Sequence, residues 1–323
     1  MKTCKCLLAT LLMGCVLSVP RVMAAGDGNK ETMKVEITEK QQIEMISGVI
    51  YSQVSSVGVN RAMRMTLLIP STQEPKPAVI FFPGGGFFSA NHERYIEMRM
   101  ALAKAGFVVA SAEYRAVPDV FPALVVDAKS AVRYLRAHAA QYGIDPDHIG
   151  VFGDSAGGYV TQMVGTTNGE KRFDEGDFLD QSSDVQAAVT IYGISDLTNI
   201  GEGYPEEIQK VHESPAITEA LLVHGFAFAT FPGASIYSDI EKAKDASPMG
   251  HVKEGLPPFL IMHGSSDGLV SPMQSEQLYN AMVEKGNEVD YVIVEGANHG
   301  DLYWYQQPVI DKVVNWFKDK LMK

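Results

Sequence analysis

Three residues, far apart in the chain, could together carry out nucleophilic acyl transfer: Ser155, Asp267 and His299. That chemistry needs a nucleophile, a base to take its proton, an acid to orient the base, and donors for the oxyanion that forms. Ser155 is the candidate nucleophile. It sits in Gly153-Asp154-Ser155-Ala156-Gly157, after a short apolar run (149–152) and before a segment that reads as a helix (156–165). A serine on a sharp strand-to-helix turn is lifted clear of the backbone, and small flanking residues are needed there on steric grounds. The helix N-terminus then points its free N–H groups at charge forming beside the serine. Gly-x-Ser-x-Gly alone also fits an ordinary turn, so the reading depends on the rest of the chain.

The candidate base is His299, in Gly296-Ala297-Asn298-His299-Gly300, just past the last expected strand. Of the eight histidines, His138 and His148 flank a helix and a strand. His92, His212, His224 and His251 fall in loops or in an insertion, and His263 precedes the acid. Only His299 follows both serine and acid, the order Ser…Asp…His. The candidate acid is Asp267, on the loop after the expected strand 259–262, where a carboxylate could fix the imidazole tautomer. Glu295 is a possible substitute acid, and Asp154, adjacent to the serine, points elsewhere. Oxyanion donors are expected from the N–H of Ala156 and from Pro83-Gly84-Gly85-Gly86-Phe87, where three glycines can expose backbone N–H groups.

The elements that must position these residues alternate. Strands are expected at 63–69, 78–82, 107–112, 148–152, 185–192, 259–262 and 291–294. Helices are expected at 94–104, 124–140, 272–285 and 309–322. Residues 34–69 as a whole alternate enough for N-terminal strands, and 70–77 reads as a turn. Short apolar strands separated by helices predict an α/β chain with a mostly parallel sheet covered on both faces, its function at the carboxyl ends of the strands. Residues 196–245 break the rhythm and are too long for a plain loop. They read as a cap of short helices over the site or as a peripheral insertion.

Residues 1–5 carry two lysines, 7–19 are apolar, and 22–25 offer small residues for cleavage, so residues 1–24 read as a secretory signal peptide. A lipoprotein signal ending at Cys15 is the alternative. The run is short for an integral membrane span. Residues 25–323 then form one domain with the insertion. All three cysteines (Cys4, Cys6, Cys15) lie in the leader, so a processed chain has no disulfide, thiolate metal site or cysteine nucleophile. Losing the leader removes Lys2, Lys5 and Arg21 and no acid, which makes the net charge of −12 more negative by three. Such a chain has no electrostatic reason to bind nucleic acid.

With these residues in view, the chain resembles α/β-hydrolase carboxylesterases of the hormone-sensitive-lipase-like and feruloyl-esterase-like group. The resemblance rests on the Gly-rich loop, Glu113-Tyr114-Arg115 with Pro118 and Phe121-Pro122, Gly153 to Gly158, Ala246-Ser247-Pro248, Pro257-Pro258, His263-Gly264, Asp267 and His299. It covers roughly residues 60–320. It implies Gly85, Gly86 and Ala156 as oxyanion donors, with no metal or organic cofactor. It also implies a small-molecule or glycan ester as substrate, such as acetylated or feruloylated polysaccharide outside the cell, secreted or periplasmic. Phe87, Phe88 and Trp304 are candidate acyl-pocket residues, with core packing as their other reading. One position departs from the pattern: Pro83 stands where the group usually has histidine, which removes an N–H and the imidazole that would brace the loop. A serine peptidase of the same superfamily and a non-catalytic binding protein are the alternative functions. The oligomeric state is open.

Overall fold

The computed structural model describes residues 31–37, 41–56 and 58–322. The expected leader, including Cys15, lies outside them. Residues 31–37 carry no regular secondary structure, so strand structure begins later than the alternation from residue 34 suggests.

Eight strands form one sheet: β1 (Ile43–Ser56), β2 (Val59–Pro70), β3 (Lys76–Phe82), β4 (Val108–Ala112), β5 (Ile144–Asp154), β6 (Ala187–Ile191), β7 (Phe259–Gly264) and β8 (Val289–Val294). Their order is β1-β2-β4-β3-β5-β6-β7-β8. β1 pairs antiparallel with β2 and β2 with β4, and every pairing from β4 to β8 is parallel. Residue alternation explains why both faces are covered. Ala78, Ile80 and Phe82 of β3 face one buried cluster, while Val79 and Phe81 face the other.

Nine helices are described: α1 (Ile96–Lys104), α2 (Ala123–Ala137), α3 (Ala139–Tyr142), α4 (Ala156–Thr166), α5 (Glu206–Val211), α6 (Thr218–His224), α7 (Ile240–Asp245), α8 (Met273–Glu284) and α9 (Gln307–Leu321). α2, α4 and α8 pack into the first cluster, through residues such as Val132, Met163 and Leu278. α1 and α9 pack into the second, through Leu102, Val313 and Phe317. Two expected helices shift. Tyr95 adopts φ 56°, so α1 starts at Ile96 and Arg94 stays outside it. The helix expected through residue 140 breaks at His138, where φ −104° and ψ 20° leave the helical region.

Strand order reverses at β3: the chain moves to β4 on one side, then to β5 on the other. Loops leaving β3 and β5 therefore diverge and open a crevice at the carboxyl edge of the sheet. The Gly-rich loop leaves β3, and Ser155 follows β5. The segment that broke the sequence rhythm holds α5, α6, α7 and a short 3₁₀ turn at Ile236–Ser238.

Candidate active site

Ser155 has φ 53° and ψ −121°, a strained backbone for a residue with a side chain. The strain persists because the surroundings fix it. Its N–H donates to the Ile191 carbonyl at 2.9 Å, and two glycines pack against it with no room to spare. A Cβ on Gly157 would lie 1.9 Å from the Phe82 carbonyl oxygen, and one on Gly153 would lie 2.2 Å from that of Gly157. Only glycine lets β3 and the start of α4 approach this closely.

The serine hydroxyl lies 2.8 Å from Nε2 of His299, whose Nδ1 lies 2.8 Å from Oδ2 of Asp267. Nδ1 faces a carboxylate and therefore carries the proton, which leaves the Nε2 lone pair for the serine O–H. Asp267 is buried, and its Oδ1 accepts the N–H groups of Leu269 and Val270 at 2.9 and 3.0 Å. Burial alone would raise this carboxyl. Hydrogen bonds from His263 and His299 outweigh it and hold the group well below the usual carboxylate range.

His263 was set aside by chain order, but it is a second partner of the acid. It is fully buried, and its Nε2 lies 3.0 Å from the Val270 carbonyl and 3.3 Å from Asp267 Oδ2. Facing only acceptors, Nε2 carries the proton, and Nδ1 is hydrogen-bonded with the Ser275 hydroxyl at 2.6 Å. His263 thus positions Asp267.

The loop bearing His299 is tied down at several points. Asn298 accepts the N–H of His299 at 2.7 Å and that of Gly268 at 3.0 Å, which links it to the Asp267 loop. Trp304 donates its indole N–H to the Asn298 carbonyl at 2.7 Å, and Tyr192 lies between Trp304 and the His299 ring. Trp304 is fully buried, so its expected role as a substrate contact is corrected. It is a packing residue behind the histidine, because its bulk fills the space under the loop.

The Gly-rich loop is braced without a histidine at its head. Tyr114 donates to the Pro83 carbonyl at 2.6 Å, and the Gly84 N–H donates to Asp154 Oδ1 at 2.8 Å. Asp154 thus holds the loop from the residue next to Ser155, and its burial pushes its carboxyl up. The N–H groups of Gly85 and Gly86 find no acceptor among the described residues, and that of Ala156 opens α4. These are the three N–H groups named from the sequence as candidate oxyanion donors.

Ser155 stands between two cavities. The first, about 210 Å³, is lined by Gly84, Gly85, Gly86, Arg94, Asp154, Tyr192 and His299. The second, about 240 Å³, is lined mainly by Phe87, Ile194, Ile200, Ile217, Leu269 and Val270, and it reaches Ser155 and Ala156 but not His299. Phe87 is buried against Tyr159 and lines this second cavity. Phe88 is 54% exposed and lines neither. Of the aromatics in the insertion, Phe226, Phe228, Phe231 and Tyr237 are exposed, and Tyr204 is half-buried with its hydroxyl donating to the Asp267 carbonyl at 2.8 Å. The insertion's contribution to the cavity is Ile200, His212, Ile217, Thr218 and Glu219. Sequence reasoning missed these residues because apolar spacing in short irregular helices carries little signal.

The sheet order and the strained serine turn are those of the α/β-hydrolase fold. The chain belongs to the BD-FAE family, whose profile matches residues 65–282. Among curated proteins it is similar to a probable carboxylic ester hydrolase, LipM, of Mycobacterium tuberculosis, at 29% identity over 62% of this chain and 43% of that one. Esterase LipC of the same organism is 30% identical over 70% of this chain and 53% of its own. The chain thus spans about half the length of the curated relatives it matches. Among solved structures it is similar to a truncated carbohydrate esterase from gut microbiota, at TM-score 0.74 and 25% identity, covering 90% of this chain and 100% of that one. An esterase from Thermogutta terrifontis shares the fold, at TM-score 0.64 and 24% identity over 86% of this chain and 92% of that one.

Proposed function

We propose that the protein is a serine carboxylesterase. The observation that carries this reading is the hydrogen-bonded chain Ser155–His299–Asp267 beside two unengaged glycine N–H groups. His299 takes the Ser155 proton as the oxygen attacks the ester carbonyl. The Gly85, Gly86 and Ala156 N–H groups hold the oxyanion, a contribution of about 3 kcal/mol per donor in comparable sites. As the tetrahedral intermediate collapses, His299 gives its proton to the departing alcohol oxygen. Water, activated by the same imidazole, then releases the acid and restores Ser155.

Proton delivery also assigns the two cavities. The leaving alcohol must lie within reach of His299, so it occupies the cavity that His299 lines with Arg94 and Tyr192. The acyl group then extends into the apolar cavity, which His299 does not line. Family membership and the similar carbohydrate esterase favour acetyl or feruloyl esters of polysaccharide as natural substrates, and the leader-like residues 1–24 favour an exported protein.

The test is hydrolysis of p-nitrophenyl acetate, butyrate and octanoate by wild type and Ser155→Ala. Wild type is expected to cleave the short esters, and the variant to lose at least about a thousandfold in kcat. Acetylated and feruloylated polysaccharide, and aminoacyl amides, are assayed in parallel. A wild type inert on every ester, or a Ser155→Ala variant of undiminished rate, overturns the reading. A preference for the amides moves it to a peptidase.

A further inference from the structure

Arg94 lines the cavity that holds the leaving alcohol, yet neither the Ser155–His299–Asp267 chain nor the brace on the Gly-rich loop uses it. It is exposed, two residues before α1, and its side chain makes no hydrogen bond or ion pair among the described residues. Its charge still acts on the cavity. Burial raises the Asp154 carboxyl and the Tyr192 hydroxyl, which line the same space, and the Arg94 charge opposes the rise in both. The guanidinium therefore lies on the cavity side of its loop. Asp154 does not occupy it: Oδ1 accepts the Gly84 N–H at 2.8 Å, Oδ2 faces the Tyr192 hydroxyl at 3.4 Å, and no ion pair joins it to Arg94.

We propose that Arg94 is a carboxylate-recognition point for the leaving alcohol, so that esters of a uronate are preferred to esters of a neutral sugar. The inference rests on the acyl-transfer reading of Ser155 and on the assignment of this cavity to the alcohol. A guanidinium offers its N–H groups in a planar fork that meets both oxygens of a carboxylate at once. The hydroxymethyl group of a neutral sugar offers one oxygen and no charge. The chain carries a net charge of −12, so its overall field repels an anionic substrate. A carboxylate is then held only where a local cation meets it. His299 reaches the ester oxygen from the same cavity, so the two contacts hold one ring at two points. At about 210 Å³ the cavity is small for a drug-sized ligand and suits a single ring.

The other role open to Arg94 is a counter-charge that eases the burial of Asp154, which would serve every substrate alike. The experiment therefore reads a ratio, with the acyl group held constant. Butyryl esters of 4-hydroxybenzoate and 4-hydroxybenzamide are compared, and so are acetylated methyl galacturonoside and its uronamide. In wild type the acid is expected to exceed the amide by about tenfold or more in kcat/KM, mostly through KM, in at least one pair. Arg94→Gln is expected to bring the ratio to about one or below. Arg94→Lys, which keeps the charge without the fork, is expected to retain part of it. Arg94→Glu is expected to turn the preference toward the butyryl ester of (4-hydroxybenzyl)trimethylammonium. Thermal melts of the same preparations separate loss of folding from loss of preference. Equal kcat/KM for acid and amide in both wild-type pairs overturns the inference, and that arm needs no variant. A ratio that survives in folded Arg94→Gln, with every ester slowed alike, also overturns it and leaves Arg94 as the counter-charge. So does a wild type that prefers a carboxylate on the acyl part, monoethyl succinate over ethyl butyrate, and not on the alcohol. p-Nitrophenyl acetate is the common reference: if wild type cleaves it while no pair differs, only this inference fails. If no ester is cleaved, the esterase reading fails and this one with it.

Discussion

Asp267 shows how far a single residue depends on its neighbours. Two imidazoles and two backbone N–H groups converge on one buried carboxylate, and together they outweigh the cost of burying it. Its folded value lies below the unfolded value of about 4. The stability it contributes is therefore present above that unfolded value and is lost as pH falls through the lower folded one. Asp267→Asn removes the carboxylate, so the stability gap between wild type and variant is expected to narrow as pH falls below about 4. Denaturant midpoints measured from pH 7 downward check the sign, and a gap that widens contradicts it. The same variant inverts the Nδ1 partnership, so its kcat is expected to fall by about 10⁴ at neutral pH.

At the scale of elements, the close approach of β3 to α4 is what brings the Gly-rich loop to the serine. The Phe82 carbonyl occupies the space a Cβ on Gly157 would need, and Pro83 follows directly. Gly157→Ala must therefore push β3 and α4 apart by more than an ångström or fail to fold. We expect a loss of about 1–3 kcal/mol in denaturation free energy. We expect a larger proportional loss in kcat, because Gly85 and Gly86 move away from the oxyanion. A variant with wild-type stability and turnover would show that the approach is not required. The brace on this loop explains how Pro83 is accommodated: Tyr114 and Asp154 hold it at the Pro83 carbonyl and the Gly84 N–H, neither of which needs a side chain at position 83.

At the scale of the whole molecule, a sheet covered on both faces supplies a rigid platform, and Ser155, Asp267, His299 and the Gly-rich loop all lie in the turns and loops that follow its strands at one edge. Residues 41–323 form one unit, so a domain boundary within it is not needed to make the crevice. Expression in a bacterial host tests the export proposal: the folded protein is expected in the periplasmic or extracellular fraction with its N-terminus near residue 25. N-terminal sequencing checks this, and an intact Met1 in the cytoplasmic fraction opposes it.

How much of this was legible in the sequence follows from the range of the interactions involved. Period-two and helical apolar patterns are local, so the α/β class, the parallel sheet and most strands could be read directly. Ser155, Asp267 and His299 were legible because chain order and loop position after strands single them out, and the glycines because close backbone approach admits no other residue. Packing of distant segments left no local mark. That Trp304 is buried behind the histidine loop, that Phe88 and the aromatics of residues 226–237 face outward, and that His263 shares the acid were decided by tertiary structure. So was the placing of Arg94 at the cavity that His299 lines. Side-chain type limits what a residue can do, and only its burial and partners in the folded chain select among those possibilities.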